Sequence, residues 1–302
     1  MANQAYFKAD AYSQDNMIIL KKKDGWIDIK DKISAQDTNI AFVPTMGALH
    51  EGHISLLKKS KELATLTVSS IFVNPTQFNN ANDFKKYPVT TENDILILER
   101  NKCDVLFLPS VKEIYPEDII REEQIDLGYL ETILEGEFRP GHFQGVCQVV
   151  KRLLEVIGPD YLLVGQKDYQ QCMVIKKLLE ILHSKIQLVI CPTVREEDGL
   201  AMSSRNLRLT VEERELAPEI FKTLSVIKNE LSTKNIERLK QDAKQHLEQK
   251  NFKVDYVEIA DARDLHAIAE WNGKDPVVIL AAAFVNDIRL IDNIVVGGSL
   301  GV

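Results

Sequence analysis

With 302 residues, 45% of them hydrophobic and 27% charged, the chain has the composition of an ordinary globular protein and the length of one large domain or two unequal ones. Its net charge of −8 and pI near 5.4 argue against a sequence-independent nucleic-acid binder, which needs a basic surface, but leave room for a local cationic pocket for one small anion. Cys103, Cys147, Cys172 and Cys191 form no C-x-x-C pair, so neither a disulfide scaffold nor a zinc ribbon is suggested, and reduced cytosolic thiols are the simplest reading.

In chain order, residues 1–16 lack a basic stretch followed by an apolar one and read as a flexible extension, native or added, rather than a secretory signal. NIAFVPT (39–45) reads as a buried strand, ISLLKKSKELA (54–64) as a helix with one apolar side, and TLTVSSIFVN (65–74) as a second strand. TENDILILERN (91–101) is helical with Thr91 as its expected cap, and DVLFLPS (104–110) is strand-like. GVCQVVKRLLEVI (145–157) is a helix, DYLLVGQ (160–166) a strand, DYQQCMVIKKLLEILH (168–183) a helix with Asp168 at its cap, and IQLVICPTV (186–194) a strand. This alternation implies right-handed βαβ crossovers, hence an α/β class with a Rossmann-like parallel sheet over residues 1–193.

From residue 194 the pattern changes. REEDGLAMSSRN (195–206) reads as a loop, and residues 211–250 as two mixed-charge helices separated near Ser232 to Lys234. KVDYVEIAD (253–261), PVVILAAAFVN (276–286) and IRLIDNIVV (288–296) read as strands suited to antiparallel pairing, giving a smaller α+β C-terminal domain over 194–302. The apolar run PVVILAAAFV is about half a membrane span, so a buried strand is expected and no membrane anchor.

An open α/β sheet binds its ligand beyond the carboxyl ends of its strands, and PTMGALHEGH (44–53), IFVNPTQF (71–78) and VGQKD (164–168) all sit at such ends. Gly47 and Gly52 permit close backbone approach, and a helix starting near Gly52 is expected to present unpaired N–H groups to phosphate. His50 and His53 suit the role of hydrogen-bond donors to a pentacovalent phosphorus. A zinc site is the rival reading, but H-E-G-H lacks the i, i+4 spacing of a helical zinc pair and has no third ligand nearby, so no protein-bound metal is expected. Lys167 offers a flexible cation, and MSSRN (202–206) two hydroxyls and a guanidinium on one loop. Alone, these would read as a solvated charge and a serine-rich turn.

Together they are more specific. The HxGH form of His50 to His53 resembles the nucleotidyltransferase superfamily shared with class I aminoacyl-tRNA synthetases, and MSSR resembles its second, KMSKS-type loop. The longer strings PTMGALHEGH, IFVNPTQF, LEGEFRPGHFQGV, GQKDYQQ, PTVREEDGLAMSSRN and RLIDN, in that order, resemble the pantothenate synthetase family over nearly everything after residue 17.

That resemblance implies an AMP-forming ligase joining (R)-pantoate to β-alanine through pantoyl adenylate, with Mg²⁺ arriving on ATP, in a cytoplasmic homodimer without nucleic-acid or membrane partners. It assigns His50, His53 and Lys167 to catalysis, with His53 at the proton-donor position, which reads mainly as a hydrogen-bonding role. ATP contacts are implied for Met46, Gly47, Ala48, Leu49, His50, Glu51, Gly52 and His53, for Gly165, Gln166, Lys167 and Asp168, and for Val194, Met202, Ser203, Ser204 and Arg205. Gln77 and Gln171 match the pantoate-binding glutamines, Gln77 also lying near β-alanine. Pro44, Met46 and Phe78 are candidates to surround the geminal methyls of pantoate, whereas His142 is expected to support its loop. A transferase acting on a phosphate acceptor would share HxGH, but the two glutamines favour a carboxylate acceptor. A noncatalytic nucleotide-binding module would be expected to have lost some of His50, His53, Lys167 and MSSR.

Overall fold

The computed structural model describes residues 17–33, 38–79, 81–116 and 124–298; the expected extension over 1–16 lies outside the described residues. Strands β1 (Ile18–Leu20), β2 (Ile40–Thr45), β3 (Leu66–Ile71), β4 (Val105–Phe107), β5 (Tyr161–Gly165) and β6 (Gln187–Cys191) form one six-stranded sheet in the order β1-β4-β3-β2-β5-β6. Every pairing within it is parallel. The expected strands are all present, and the sheet gains an edge strand, β1, followed by a helix over Lys23–Ile33.

Both faces of the sheet are covered, so β2 and β3 are buried along nearly their whole length, and of the hydroxyls β3 carries, Thr67 pairs with Ser60 (2.9 Å) and Ser69 donates to the Val43 carbonyl (3.0 Å). Phe42, Val68, Phe107 and Leu162 point into a core shared with helices His142–Ile157 and Tyr169–Ile181. Ala41, Val43, Leu106 and Leu163 point the other way, onto Leu56, Leu57 and Leu98. Chain order runs outward from β2 through β3 to β4 on one side, and through β5 to β6 on the other. The crevice beyond β2 and β5 is therefore the topological switch point.

The second sheet, β7 (Phe252–Asp261), β8 (Val277–Val285) and β9 (Ile288–Val296), is antiparallel in that order. Val277, Ile279 and Ala281 of β8 meet Ile220, Leu224, Leu239 and Leu247 of helices Glu219–Glu230 and Ile236–Gln249. Alternate residues Val278 and Leu280 join the core beneath the parallel sheet. Burial on both faces explains the run PVVILAAAFV without a membrane, and among the described residues no helix is long and apolar enough to cross one. All four cysteines are free and buried.

Two local expectations are corrected. The N-cap of helix Thr91–Arg100 is Thr90, and its side chain caps no backbone N–H because the hydroxyl bonds both oxygens of Asp94 at 3.1 Å. The first helical stretch after residue 211 is broken into Val211–Leu216 and Glu219–Glu230, with Pro218 at the N-cap of the second, since proline starts helices more readily than it continues them.

Candidate active site

Beyond β2 the chain turns through Gly47 and Ala48, both at positive φ (79° and 49°), and His50 becomes the N-cap of helix Glu51–Leu63. The spacing of the two histidines then has a local cause. The Gly52 N–H donates to His50 Nδ1 (3.1 Å), and the His50 N–H donates to His53 Nδ1 (3.3 Å), a reciprocal cap built from imidazoles. A Cβ at position 52 would lie 2.8 Å from the His50 ring, so glycine is what admits this cap.

Free N–H groups at this helix start, expected from the sequence, are therefore not found at Gly52. The Ala48 and Leu49 N–H groups are also taken, donating to Asp94 Oδ2 (2.9 Å) and Oδ1 (2.8 Å). What the turn offers instead is its imidazoles. Burial, reinforced by Lys167, lowers the His50 pKa to about 4. Burial, then His50 and Lys167, lowers that of His53 to about 3. A neutral ring whose Nδ1 accepts a hydrogen bond carries its proton on Nε2, so both rings are Nε2–H donors at neutral pH.

A cleft of about 230 Å³ at the switch point is lined by Met46, His50, Gly52, His53, Gln77, Gly165, Lys167, Asp168, Gln171, Val194 and Met202 to Arg205. Lys167, Asp168, Ser203 and Arg205 also wall an adjoining cavity of about 750 Å³ that reaches β9. Five of the expected ATP contacts do not line the cleft. Gly47, Ala48 and Leu49 are buried in the turn, Glu51 is exposed, and Gln166 donates its amide to Asn293 Oδ1 (3.1 Å). Asp168 occupies the expected N-cap position, but its side chain makes no cap hydrogen bond.

The MSSR loop is fastened at three points. Ser204 Oγ donates to the Ala48 carbonyl (2.9 Å), while Arg205 and Arg208 both pair with Asp83 (2.9 and 2.7 Å). From the other side, Asn293 of β9 donates to the carbonyls of Gln166 (3.0 Å) and Lys167 (2.9 Å), fixing the lysine turn. Its neighbour Asp292 accepts a two-pronged ion pair from Arg195 at 2.6 and 3.0 Å.

The glutamine side is equally constrained. Asn74 donates to Gln77 Oε1 (3.1 Å) and to the Gly145 carbonyl (3.0 Å), and Gln77 Nε2 donates to Met46 Sδ (3.1 Å). Burial, then Arg139, lowers the His142 pKa to about 4, and the neutral ring donates from Nδ1 to the Gln77 carbonyl (2.8 Å). His142 thus supports the loop, as expected. Phe78 packs edge-on against Phe84 and Tyr87, and Phe72 joins Pro44 and Met46 in the cleft wall instead. Asn74, Asp83, Asp94 and Asn293 were not singled out by sequence reasoning, because each works through a partner far away in the chain.

A doubly wound parallel sheet with HxGH at its switch point, facing the serine–arginine loop that follows β6, defines an α/β enzyme of the HxGH nucleotidyltransferase class. Within that class the chain belongs to the pantoate-beta-alanine ligase family, whose pattern matches residues 19–295. It is 46% identical over 261 residues to the pantothenate synthetase of Cytophaga hutchinsonii, covering 85% of this chain and 92% of that one. Identity to the pantothenate synthetase of Caldicellulosiruptor saccharolyticus is 42% over 283 residues, 93% of this chain and 99% of the other. The crystal structure of pantothenate synthetase from Thermus thermophilus superposes with a TM-score of 0.84 at 34% identity, covering 92% and 99% of the two chains. The pantoate-beta-alanine ligase of Francisella tularensis, complexed with Beta-gamma ATP and Beta-alanine, superposes with a TM-score of 0.76 at 38% identity, covering 92% and 97%.

Proposed function

We propose that this protein condenses (R)-pantoate with β-alanine, converting ATP to AMP and diphosphate through a pantoyl-adenylate intermediate. The observation that carries this reading is the pair of neutral Nε2–H donors, His50 and His53, in one cleft with Lys167 and the two glutamines. A carboxylate is a poor acyl donor. In the first step a pantoate carboxylate oxygen attacks the α-phosphorus and diphosphate leaves. His50 and His53 donate to the phosphate oxygens as negative charge builds, and Lys167, Ser203, Ser204 and Arg205 follow that charge. Met46, Gly52, Gly165, Asp168, Val194 and Met202 complete the ATP site, and Gly47, Ala48, Leu49 and Gln166 shape it from behind by holding the two turns.

In the second step the free amine of β-alanine attacks the acyl carbon, and AMP departs with the electrons of the C–O bond. Gln77 and Gln171 hold pantoate, Gln77 also facing β-alanine, because neutral amides bind a hydroxy acid without quenching its nucleophilic carboxylate. Mg²⁺ would arrive as the counter-ion of the ATP phosphates, would neutralise part of their charge and would need few protein ligands. Residues 1–193 form the ATP and pantoate domain, and 194–302 a lid that excludes water from the mixed anhydride. The separate apolar cluster built from Leu200 to Leu290 supports that division. The working form is a cytoplasmic homodimer, which sedimentation would test.

Mass spectrometry of products from protein, ATP, Mg²⁺ and (R)-pantoate, with and without β-alanine, tests the reaction. Pantoyl adenylate without the amine, and pantothenate plus AMP with it, is the expected result. Intact ATP in both mixtures with folded protein would overturn it.

A further inference from the structure

Among the described residues, the mechanism leaves one carboxylate with no exposed surface unused. Asp94 lies in the first turn of helix Thr91–Arg100 with 0% exposure, and its oxygens accept the Ala48 and Leu49 N–H groups and the Thr90 hydroxyl. Ala48 is the joint on which both nucleotide loops meet. Its N–H is held by Asp94, its carbonyl accepts from Ser204 of the MSSR loop, and His50 follows two residues later. Its φ of 49° is one that residues with a Cβ adopt only when held there.

We propose that Asp94 is a positioning residue of the nucleotide site, acting through the Ala48 peptide to aim the His50–His53 pair and to seat Ser204 upon it. The inference rests on the functional reading above. A buried carboxylate suits the task because both its oxygens accept, so two successive N–H groups are satisfied at once. An amide in the same space has one accepting oxygen and turns its NH₂ toward the other N–H. The peptide must then tilt, and the rings move with it.

The test is Asp94→Asn, read by two independent measurements. Long-range ¹⁵N–¹H spectra of the ligand-free protein report which nitrogen of His50 and His53 carries the proton. Wild type is expected to show Nε2–H at both, and Asp94→Asn a mixture. The rate of pantoyl-adenylate formation at saturating ATP is expected to fall by about 10- to 100-fold, with KM for ATP within about threefold, since misplacing donors harms the transition state more than ground-state binding. Unchanged histidine spectra, or a rate within about twofold of wild type, would overturn the proposal whatever happens to thermal stability. If Asp94→Asn does not fold, Thr90→Val removes only the hydroxyl donor to Asp94. A shift of the same histidine signals is then expected, and unmoved signals would overturn the proposal. Absence of adenylate from the wild-type enzyme would count against the functional reading alone, because the spectra judge Asp94 without turnover.

Discussion

His53 has two jobs that one substitution separates poorly but kinetics separates well. Its Nδ1 accepts the His50 N–H, which leaves the proton of the neutral ring on Nε2, and the residue lines the cleft. His53→Ala removes both, so kcat is expected to fall by about 10² or more, the scale for deleting one transition-state donor, while far-UV circular dichroism stays native. An unchanged turnover number would remove His53 from the mechanism. The neutral state of both rings also predicts a pH profile. With pKa values of about 4 and 3, each ring keeps its Nε2–H and stays uncharged throughout the neutral range. Isotope exchange between diphosphate and ATP, which isolates the first half-reaction, is therefore expected to stay flat from about pH 5.5 to 8. An inflection near the ordinary histidine value of about 6.5 would mean that a ring titrates in the working enzyme.

At the scale of elements, the pantoate side depends on how closely helix His142–Ile157 approaches the Asn74–Gln77 turn. A Cβ on Gly145 would lie 2.5 Å from the Thr76 carbonyl oxygen and 2.8 Å from the Gln77 nitrogen, both backbone atoms that cannot swing aside. Gly145→Ala is expected to push the turn away, destabilising the fold by about 1–3 kcal/mol and raising KM for pantoate more than KM for ATP. Equal changes in both constants, measured by varying each substrate in turn, would show that Gln77 does not report on this contact. The same pair of elements shows what was legible in the sequence. Helix 145–157 and the strand before Asn74 announce themselves by periodicity, whereas the contact between them is a matter of distance in space. The short edge strand β1 carries too few residues to show a period. Asp94 reads in sequence as an ordinary acidic residue in the first turn of a helix, although its partners lie 45 and 46 residues away. HxGH was visible as a motif, but its imidazole cap and the resulting tautomer needed coordinates.

Across the whole molecule, the two sheets are joined at the active site by polar contacts rather than by apolar packing alone. Asn293 of β9 makes them, to the Gln166 and Lys167 carbonyls beyond β5, and beside it Asp292, only 5% exposed, pairs with Arg195 of the loop after β6. Asp292→Ala leaves the guanidinium its Gly199 and Asn293 carbonyls but no counter-charge, and a loss of about 1–3 kcal/mol is expected in denaturant unfolding. The adjacent Asn293 grips the Lys167 turn, so KM for ATP should rise as well. Acid acts on the molecule through a different set of groups. Burial is the first cause of the lowered pKa at His50, His53 and His142, so folding holds all three neutral while the unfolded chain protonates them near 6.5. The unfolded state then binds more protons as the pH falls, and stability, complete above about pH 6.5, declines toward pH 4 by up to about 1.4 kcal/mol per pH unit for each group. Glu135 works in a lower window. Burial pushes its pKa up, but Arg289, Arg139 and the Tyr256 hydroxyl together outweigh burial and hold it at about 2, so the stability it adds above its ordinary value of 4.5 is lost only as the pH falls toward 2. Between about pH 6.5 and 4.5, therefore, the three histidines contribute a slope of this sign, whereas Asp104 and Asp292, whose pKa values burial raises, contribute one of the opposite sign. His142→Asn, which keeps a donor near the Gln77 carbonyl without a titrating ring, is expected to flatten the plot of unfolding free energy against pH in that window. A slope equal to that of the wild type would mean that His142 takes up its proton at the same pH in the native and unfolded chains, and that its bond to Gln77 does not hold the ring neutral.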